Sequence, residues 1–399
     1  MFPMTHQQNI NYKLIGLMAL ATGIVIASNY YSQPLLEAIA TSFSLSHTSA
    51  GFIVTIAQIG YGIGLLFLVP LGDMFERRRL IIVMTLLTAF GLFITAFSQS
   101  FWQILIGTLL TGLFSIVAQL LIPFAAAIAP HHQKGKTVGI MIGGLLLGIL
   151  SARTVAGLLA EFNGWRTIFW FAGILLLILA SVLLKALPIS YPENKLSYLK
   201  TILSVFQLIK SEPILRLRAL LGMLTFTNFG LFWTSVTFLL SASPFNYSEG
   251  VIGLFGLAGI VGALIATNVG HYVDKGQAKS VTKIGLAFLL LSWLPMVFVQ
   301  YSIYGLIVGI ILLDLAVQGL NVINQSTIYK ILPEARNRLT SAYMTSCCSG
   351  TAIGSVIAIY TYKYHGWLGI VISGLIICIM NLAIWFYMHK HETKEFHSK

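Results

Sequence analysis

Between two long apolar runs the chain reads LGDMFERRR at residues 71–79, and further on it reads GHYVDKGQAK at residues 270–279. Each stretch is an acid followed by basic residues in a short turn. Other landmarks repeat at the same interval. Ser49-Ala50-Gly51 opens one apolar run and Ser248-Glu249-Gly250 opens another. Pro130 leads after 34 residues to Gly164 in Asn163-Gly164-Trp165, and Pro333 leads after 33 to Gly366 in His365-Gly366-Trp367. The chain is therefore one pattern of apolar runs written twice.

Composition names the solvent of those runs. Of 399 residues, 57% are hydrophobic and 9% charged, where soluble domains carry about 25% charged residues. Mean hydropathy is +0.86. These values exclude a water-soluble enzyme, a disordered chain and a secreted disulfide scaffold. A span crossing about 30 Å of hydrocarbon needs roughly 20 apolar residues. Runs of that length fall near 12–40, 48–70, 79–98, 101–129, 137–160 and 165–187, then near 214–241, 249–269, 280–299, 301–329, 339–362 and 367–389. The expectation is an all-α membrane protein of 12 transmembrane helices in two pseudo-symmetric six-helix bundles, 1–187 and 214–399.

The net charge of +12 is a topology signal, not a nucleic-acid surface. With the N-terminus in the cytoplasm, all of the 24 Lys and Arg residues fall on the cytoplasmic side except Arg166, Lys363 and the intramembrane Arg153. Both termini are then cytoplasmic. The stretch 188–213, PISYPENKLSYLKTILSVFQLIKSEP, is polar, basic and bounded by prolines. Its amphipathic centre (Leu199, Ile202, Leu203, Phe206, Ile209) predicts a helix lying on the inner membrane surface as a linker. The three cysteines lie in apolar runs, with no disulfide or zinc spacing. No phosphate loop, metal cluster or Ser-His-Asp arrangement is legible. The expected chain is not an enzyme and needs no cofactor. Its partners are a small-molecule substrate, a coupling proton and membrane lipid.

Two matched six-helix halves are the architecture of many secondary transporters, with the solute site between them near mid-membrane. The chain also resembles the major facilitator superfamily over nearly its whole length. In that family the loop after the second helix reads roughly G-x-L-A-D-R-x-G-R-R/K. Leu71, Asp73, Arg77 and Arg78 match it, while Val69, Met74 and Glu76 depart. The copy in the second half carries Asp274 and Lys275. The resemblance implies a cytoplasmic gating latch built on these residues. The fifth helix resembles the glycine-rich antiporter motif of the bacterial drug- and sugar-efflux branch. Gly135, Gly144 and Gly148 stand at its spacing, but its proline is Ile149 and its last glycine pair is Ala152-Arg153. Thr108 stands beside Gly107, where many proton-coupled members have arginine. The resemblance implies a bacterial inner-membrane transporter, monomeric, moving a drug-like compound or sugar.

A charge at mid-bilayer costs about 2.5–3.5 kcal/mol or more, so charges inside spans mark candidates by exception. Asp314 is roughly 20 Å from either end of its span. With Gln318, Asn321 and Gln325 it forms a polar face at spacings 4, 3, 4. It is a candidate proton carrier, or a structural acid bonded to its neighbours or to Arg153. Arg153 is read as an anion ligand, as the counter-charge of Asp314, or as a snorkelling side chain. In the first span Asn29, Gln33 and Glu37 share a face beside Tyr30, Tyr31 and Pro34. Glu37 is a second, outer candidate for proton coupling. Asn228 and Trp233, with Thr227 and Thr234, offer the matching surface in the seventh span, and Gln58, Tyr61 and Gln119 are weaker candidates. The leading expectation is a proton-coupled exporter. The alternatives are a facilitator or symporter of an organic anion held by Arg153, and a non-transporting receptor.

Overall fold

The computed structural model describes residues 12–130, 133–191, 198–266, 269, 277–329, 331–332 and 336–397. Lipid offers no partner for backbone N–H and C=O groups, so an apolar chain of this kind settles into helices that satisfy them internally. In the first half these are α1 (Tyr12–Ala27), α2 (Leu36–Ser42), α3 (His47–Phe67), α4 (Arg77–Ala96), α5 (Phe101–Phe114), α6 (Val117–Ile128), α7 (Lys134–Asn163) and α8 (Arg166–Ala186). After α9 (Tyr198–Ser211) come α10 (Pro213–Ser241), α11 (Glu249–Ala266), α12 (Ala278–Met296), α13 (Ile303–Ile328) and α14 (Arg336–His397).

Among the described residues these helices fall into the twelve expected spans, with three differences. The first span is broken between α1 and α2. Pro34 has no N–H to continue a helical ladder, and Gln33–Leu35 form a single 3-10 turn. The Gln33 carbonyl at this break accepts a 2.9 Å hydrogen bond from Thr237 Oγ1 of α10. The fourth span is divided at Ser115-Ile116 into α5 and α6. The last two spans, expected to be separated by a loop, are joined through one non-helical residue, Gly366 (φ 58°, ψ −154°). Among the described residues eight stretches are apolar and long enough to cross a membrane, and one of them, Arg338–Tyr387, holds both of these spans.

The repeat in sequence is a repeat in packing. Within the halves α1 lies along α7, and α10 lies along the first arm of α14. Between the halves α7 lies along α11, and α3 lies along α14. Each pairing thus recurs with the halves exchanged, which is the signature of a two-fold axis running between two six-helix bundles. The glycine motif of α7 sits in the first of these seams: a side chain on Gly148 would strike the backbone of Gly23. Small residues let the two rods touch along their backbones.

The connection carrying α9 defines one end of the molecule, called here the linker side; the other is the far side. Ile202 and Val205 of α9 are buried, and Val205 packs with Leu215, Leu339 and Tyr343 of the second half. Leu203 and Phe206 are exposed. The amphipathic face expected to lie wholly on the membrane is therefore split, with one part docked on protein. Tyr198 OH also donates to the Phe67 carbonyl of the first half, at 2.9 Å, so α9 ties both halves together.

On the same side Glu76, a departure from the family loop, starts α4. Its carboxylate accepts from the backbone N–H groups of Arg78 (2.8 Å) and Arg79 (2.9 Å) at one end of the helix and of Ser190 (3.2 Å) beyond α8. Burial alone would lift this carboxyl, but the N–H groups of Arg79, Ser190 and Arg78 outweigh it and hold it below its ordinary value. A lowered carboxyl contributes stability above its unfolded value, about 4.3, and loses it as pH falls through the folded value. Glu76→Ala is expected to cost about 1 kcal/mol, the usual worth of a helix N-cap. In thermal melts the gap to wild type is full at pH 7 and narrows below about pH 4. An unchanged gap at low pH would show that the loss comes from packing instead.

Candidate functional site

Where the two halves meet near mid-span, Tyr30, Gln58, Gln119, Gln318, Asn321 and Phe229 line a cavity of about 40 Å³. That admits a few water molecules, whereas pockets for organic ligands measure about 300–1,000 Å³. Contacts between the halves account for its small size. On the linker side Ser341 Oγ donates to the Leu65 carbonyl at 2.9 Å. On the far side Thr55 Oγ1 bonds Ser355 Oγ at 3.0 Å, and Ser248 Oγ donates to the Glu161 carboxylate. Among the described residues the halves are therefore in contact on both sides of the cavity.

One turn beyond the cavity, toward the far side, lie two buried charges. Arg153 of α7 is 2% exposed and Asp314 of α13 is 0% exposed. A snorkelling side chain keeps its charged head in water, so that reading of Arg153 is excluded. Its guanidinium lies 3.8 Å from the centroid of the Trp233 ring, and 5.4 and 5.3 Å from those of Tyr30 and Phe229. Tyr30 and Phe229 also line the cavity and meet edge to face at 6.5 Å. They form a partition between the cavity and the charges. Arg153 Nε donates to Gln33 Oε1 at 2.7 Å. The break of the first span, which holds Gln33 off a continuous helix, positions that acceptor.

Asp314 reaches this place because α11 presents no side chain there. A methyl group on Gly259 would strike the carboxylate, and one on Gly262 would strike the Ile311 carbonyl and crowd Asp314 Cβ. Arg153 acts on the carboxylate electrostatically and Trp233 Nε1 lies beside it, yet neither oxygen has a well-formed hydrogen bond. The same is true of Arg153 Nη1 and Nη2, Gln33 Nε2, Trp233 Nε1 and Thr234 Oγ1. Buried polar atoms are almost always partnered. A group of this size at one junction of α1, α7, α10 and α13 is the feature that marks a site.

The other expected residues distribute unevenly. Gln318 and Asn321 line the cavity. Gln325, on the same face, is turned to Asn321 (3.0 Å) and accepts from Tyr329 OH (2.9 Å). Glu37 lies outside this cluster, in the far-side vestibule with Thr41, Tyr362 and Lys363. Asn29 and Asn228 both turn into their own bundles. Asn29 Nδ2 donates to Ser115 Oγ at 2.5 Å, and Asn228 Oδ1 accepts from Trp293 Nε1 at 3.0 Å. Both were expected on the cavity surface, and polarity at helical spacing did not tell a cavity from a bundle interior. In the loop expected to form the latch, Asp73 closes the short turn Val69–Asp73, Arg77 begins α4, and Arg78 Nη1 donates to the Leu187 carbonyl at 3.3 Å. Asp274 and Lys275 lie outside the described residues.

A family model described as Major Facilitator Superfamily matches residues 18–311 and 245–399. The chain belongs to the Major Facilitator Superfamily. It is 56% identical over 380 residues to the "Uncharacterized transporter YgaY" of Escherichia coli O157:H7, covering 95% of this chain and 96% of that one. It is 24% identical over 368 residues to the "Probable sugar efflux transporter" of Helicobacter acinonychis (strain Sheeba), covering 87% and 90%. A mutant of the nucleoside transporter NupG has a similar solved structure, with TM-score 0.75 at 15% identity over 93% of this chain and 99% of that one. At that identity the likeness is one of fold.

The superfamily fold brings one further buried charge that the sequence reading counted only as a topology signal. Arg218 of α10 is 4% exposed. Its Nη1 donates to Thr282 Oγ1 (3.3 Å) and Asn324 Oδ1 (3.2 Å), and Asn324 Nδ2 donates to Tyr343 OH (3.4 Å). The signal was present: Arg218 lies past Arg216, one step deeper into an apolar run, where a charge needs partners.

Proposed function

We propose that this superfamily transporter exports a small organic solute by alternating access in exchange for protons, with Asp314 carrying the proton. The observation that supports the reading is the Asp314 carboxylate itself, fully buried between the halves with neither oxygen partnered. A carboxylate in that position must neutralise, find a cation or meet water, and each is available in a different state of a rocking transporter. The charged group acting on it is Arg153; α11 presents only Gly259 and Gly262. Arg153 stays protonated and biases Asp314 without carrying the proton. Efflux appears in the printed name of the Helicobacter relative and agrees with the glycine motif of α7. The excess of basic residues makes the linker side cytoplasmic, in the plasma membrane of a bacterium.

A second reading is supported by the unpartnered Arg153 Nη1 and Nη2: a facilitator or symporter of an organic anion. The experiment that separates them uses purified protein in weakly buffered detergent solution. Cationic amphiphiles, sugars and small organic anions are added in turn while pH is recorded. Exchange at Asp314 predicts that a bound solute releases protons, and that Asp314→Asn binds without releasing them. Binding with proton uptake, or with none in wild type, would favour the second reading.

A further inference from the structure

Arg153 Nη1 and Nη2 and both Asp314 oxygens lack a well-formed hydrogen bond, and their surroundings restrict what can complete them. Resting on the reading of this junction as the transport site, we propose that the solute is a small zwitterion, its carboxylate held by Arg153 and its ammonium group by Asp314.

The geometry of Arg153 selects a carboxylate. The face of the guanidinium lies on Trp233, and Nε is occupied by Gln33. What remains is the edge carrying Nη1 and Nη2, the fork that binds two oxygens side by side. Gln33 Nε2 is a further donor without an acceptor. Asp314 is the opposite case, two acceptor oxygens without a donor. An ammonium group brings three N–H donors and one positive charge.

The two side chains reach α11 about one turn apart. A methyl group on Gly256 would touch Arg153 Cβ, and one on Gly259 would strike the Asp314 carboxylate. These glycines are three residues apart on α11, about 4.5 Å along its axis. A solute with its two charges a few bonds apart matches that interval. Single charges fit less well. An anion alone would sit beside the Asp314 carboxylate, and a cation alone beside the Arg153 guanidinium, each an unfavourable pairing in a medium that screens little. A sugar would stack on an aromatic face, but the Trp233 face is already covered by Arg153. Tyr30 and Phe229, which separate the pair from the cavity, would have to part for the solute to pass.

The test is binding to the detergent-purified full chain, followed by thermal stabilisation and titration calorimetry. The probes are the standard amino acids, β-alanine and γ-aminobutyrate. For each zwitterion that binds, its N-acetyl derivative (anion only) and its methyl ester (cation only) are compared, with propionate, ethylamine and glucose as further controls. The expected result is binding by one or more zwitterions, weakened about ten- to hundredfold by removing either charge. Arg153→Lys and Asp314→Asn should weaken the zwitterion while their unliganded melts confirm that they are folded. The ester should lose less than the zwitterion in Arg153→Lys, because it never uses the fork. Failure of every zwitterion to bind would overturn the proposal. So would equal binding of the N-acetyl form, the ester or glucose, and that outcome would leave proton exchange at Asp314 standing. A zwitterion that binds but releases no proton would instead sink the exchange reading and keep this one.

Discussion

Asp314→Asn is expected to abolish uphill transport while leaving solute exchange intact. In proteoliposomes with an imposed proton gradient, accumulation of a solute that binds should fall to the level of protein-free vesicles. Counterflow driven by unlabelled solute on the other side should persist at raised solute concentration, because the amide keeps the shape of the carboxylate while losing its charge and its titratable proton. The same substitution should not lower stability. The carboxylate has no hydrogen bond to lose, and removing a buried charge recovers part of its desolvation cost. If uphill accumulation survives, Asp314 is not the proton carrier. If exchange is lost together with the fold, the carboxylate is a structural acid.

The second large effect is expected at Gly157, on the far-side seam between α7 and α11. A side chain there would strike the Glu249 carbonyl in the other half, close to the bond between Ser248 and Glu161. Packed backbones do not yield gradually to an added side chain. In Gly157→Leu the halves should rock apart on the far side and stay there, and transport should stop. Spin labels at Thr41→Cys and Lys363→Cys, on opposite walls of the far-side vestibule, should show a single distance longer than in the parent. Val155→Leu, on a partly exposed surface of the same helix, is the control and should transport normally. Loss of transport at an unchanged distance would mean that the wedge damages packing without moving the halves.

Both predictions use glycines and charges that a reader of the sequence could see, and they show where that reading reached. Asp314 stood out because a carboxylate in mid-span is costly wherever the chain folds. Arg153 stood out for the same reason, but its role stayed open between three readings, since the rotamer of a long side chain is set by what surrounds it. Stacking on Trp233 removed one of them. Asn29 and Asn228 show the limit from the other side. Each lies on a polar stripe, and a stripe says only that a helix face avoids lipid, not whether it meets a cavity or the inside of its own bundle. Gly259 illustrates a third kind of gap. The room it leaves for a carboxylate from α13 depends on which helix lies behind it.

The solvent, the number of spans and the two-fold repeat can be read along the chain, because hydropathy and backbone hydrogen bonding act locally and need no knowledge of neighbours. The turn residues and the charges around Arg77 and Arg78 belong to the same class. Three-dimensional packing was needed to see that Arg153 and Asp314 share one junction, that Gln33 is held there by a break in its helix, and that Arg218 lies among Thr282 and Asn324. Those facts come from residues far apart in sequence, placed together by close packing of glycine faces. Helix–helix registry of that kind is a property of two surfaces at once, and no single stretch of chain contains it.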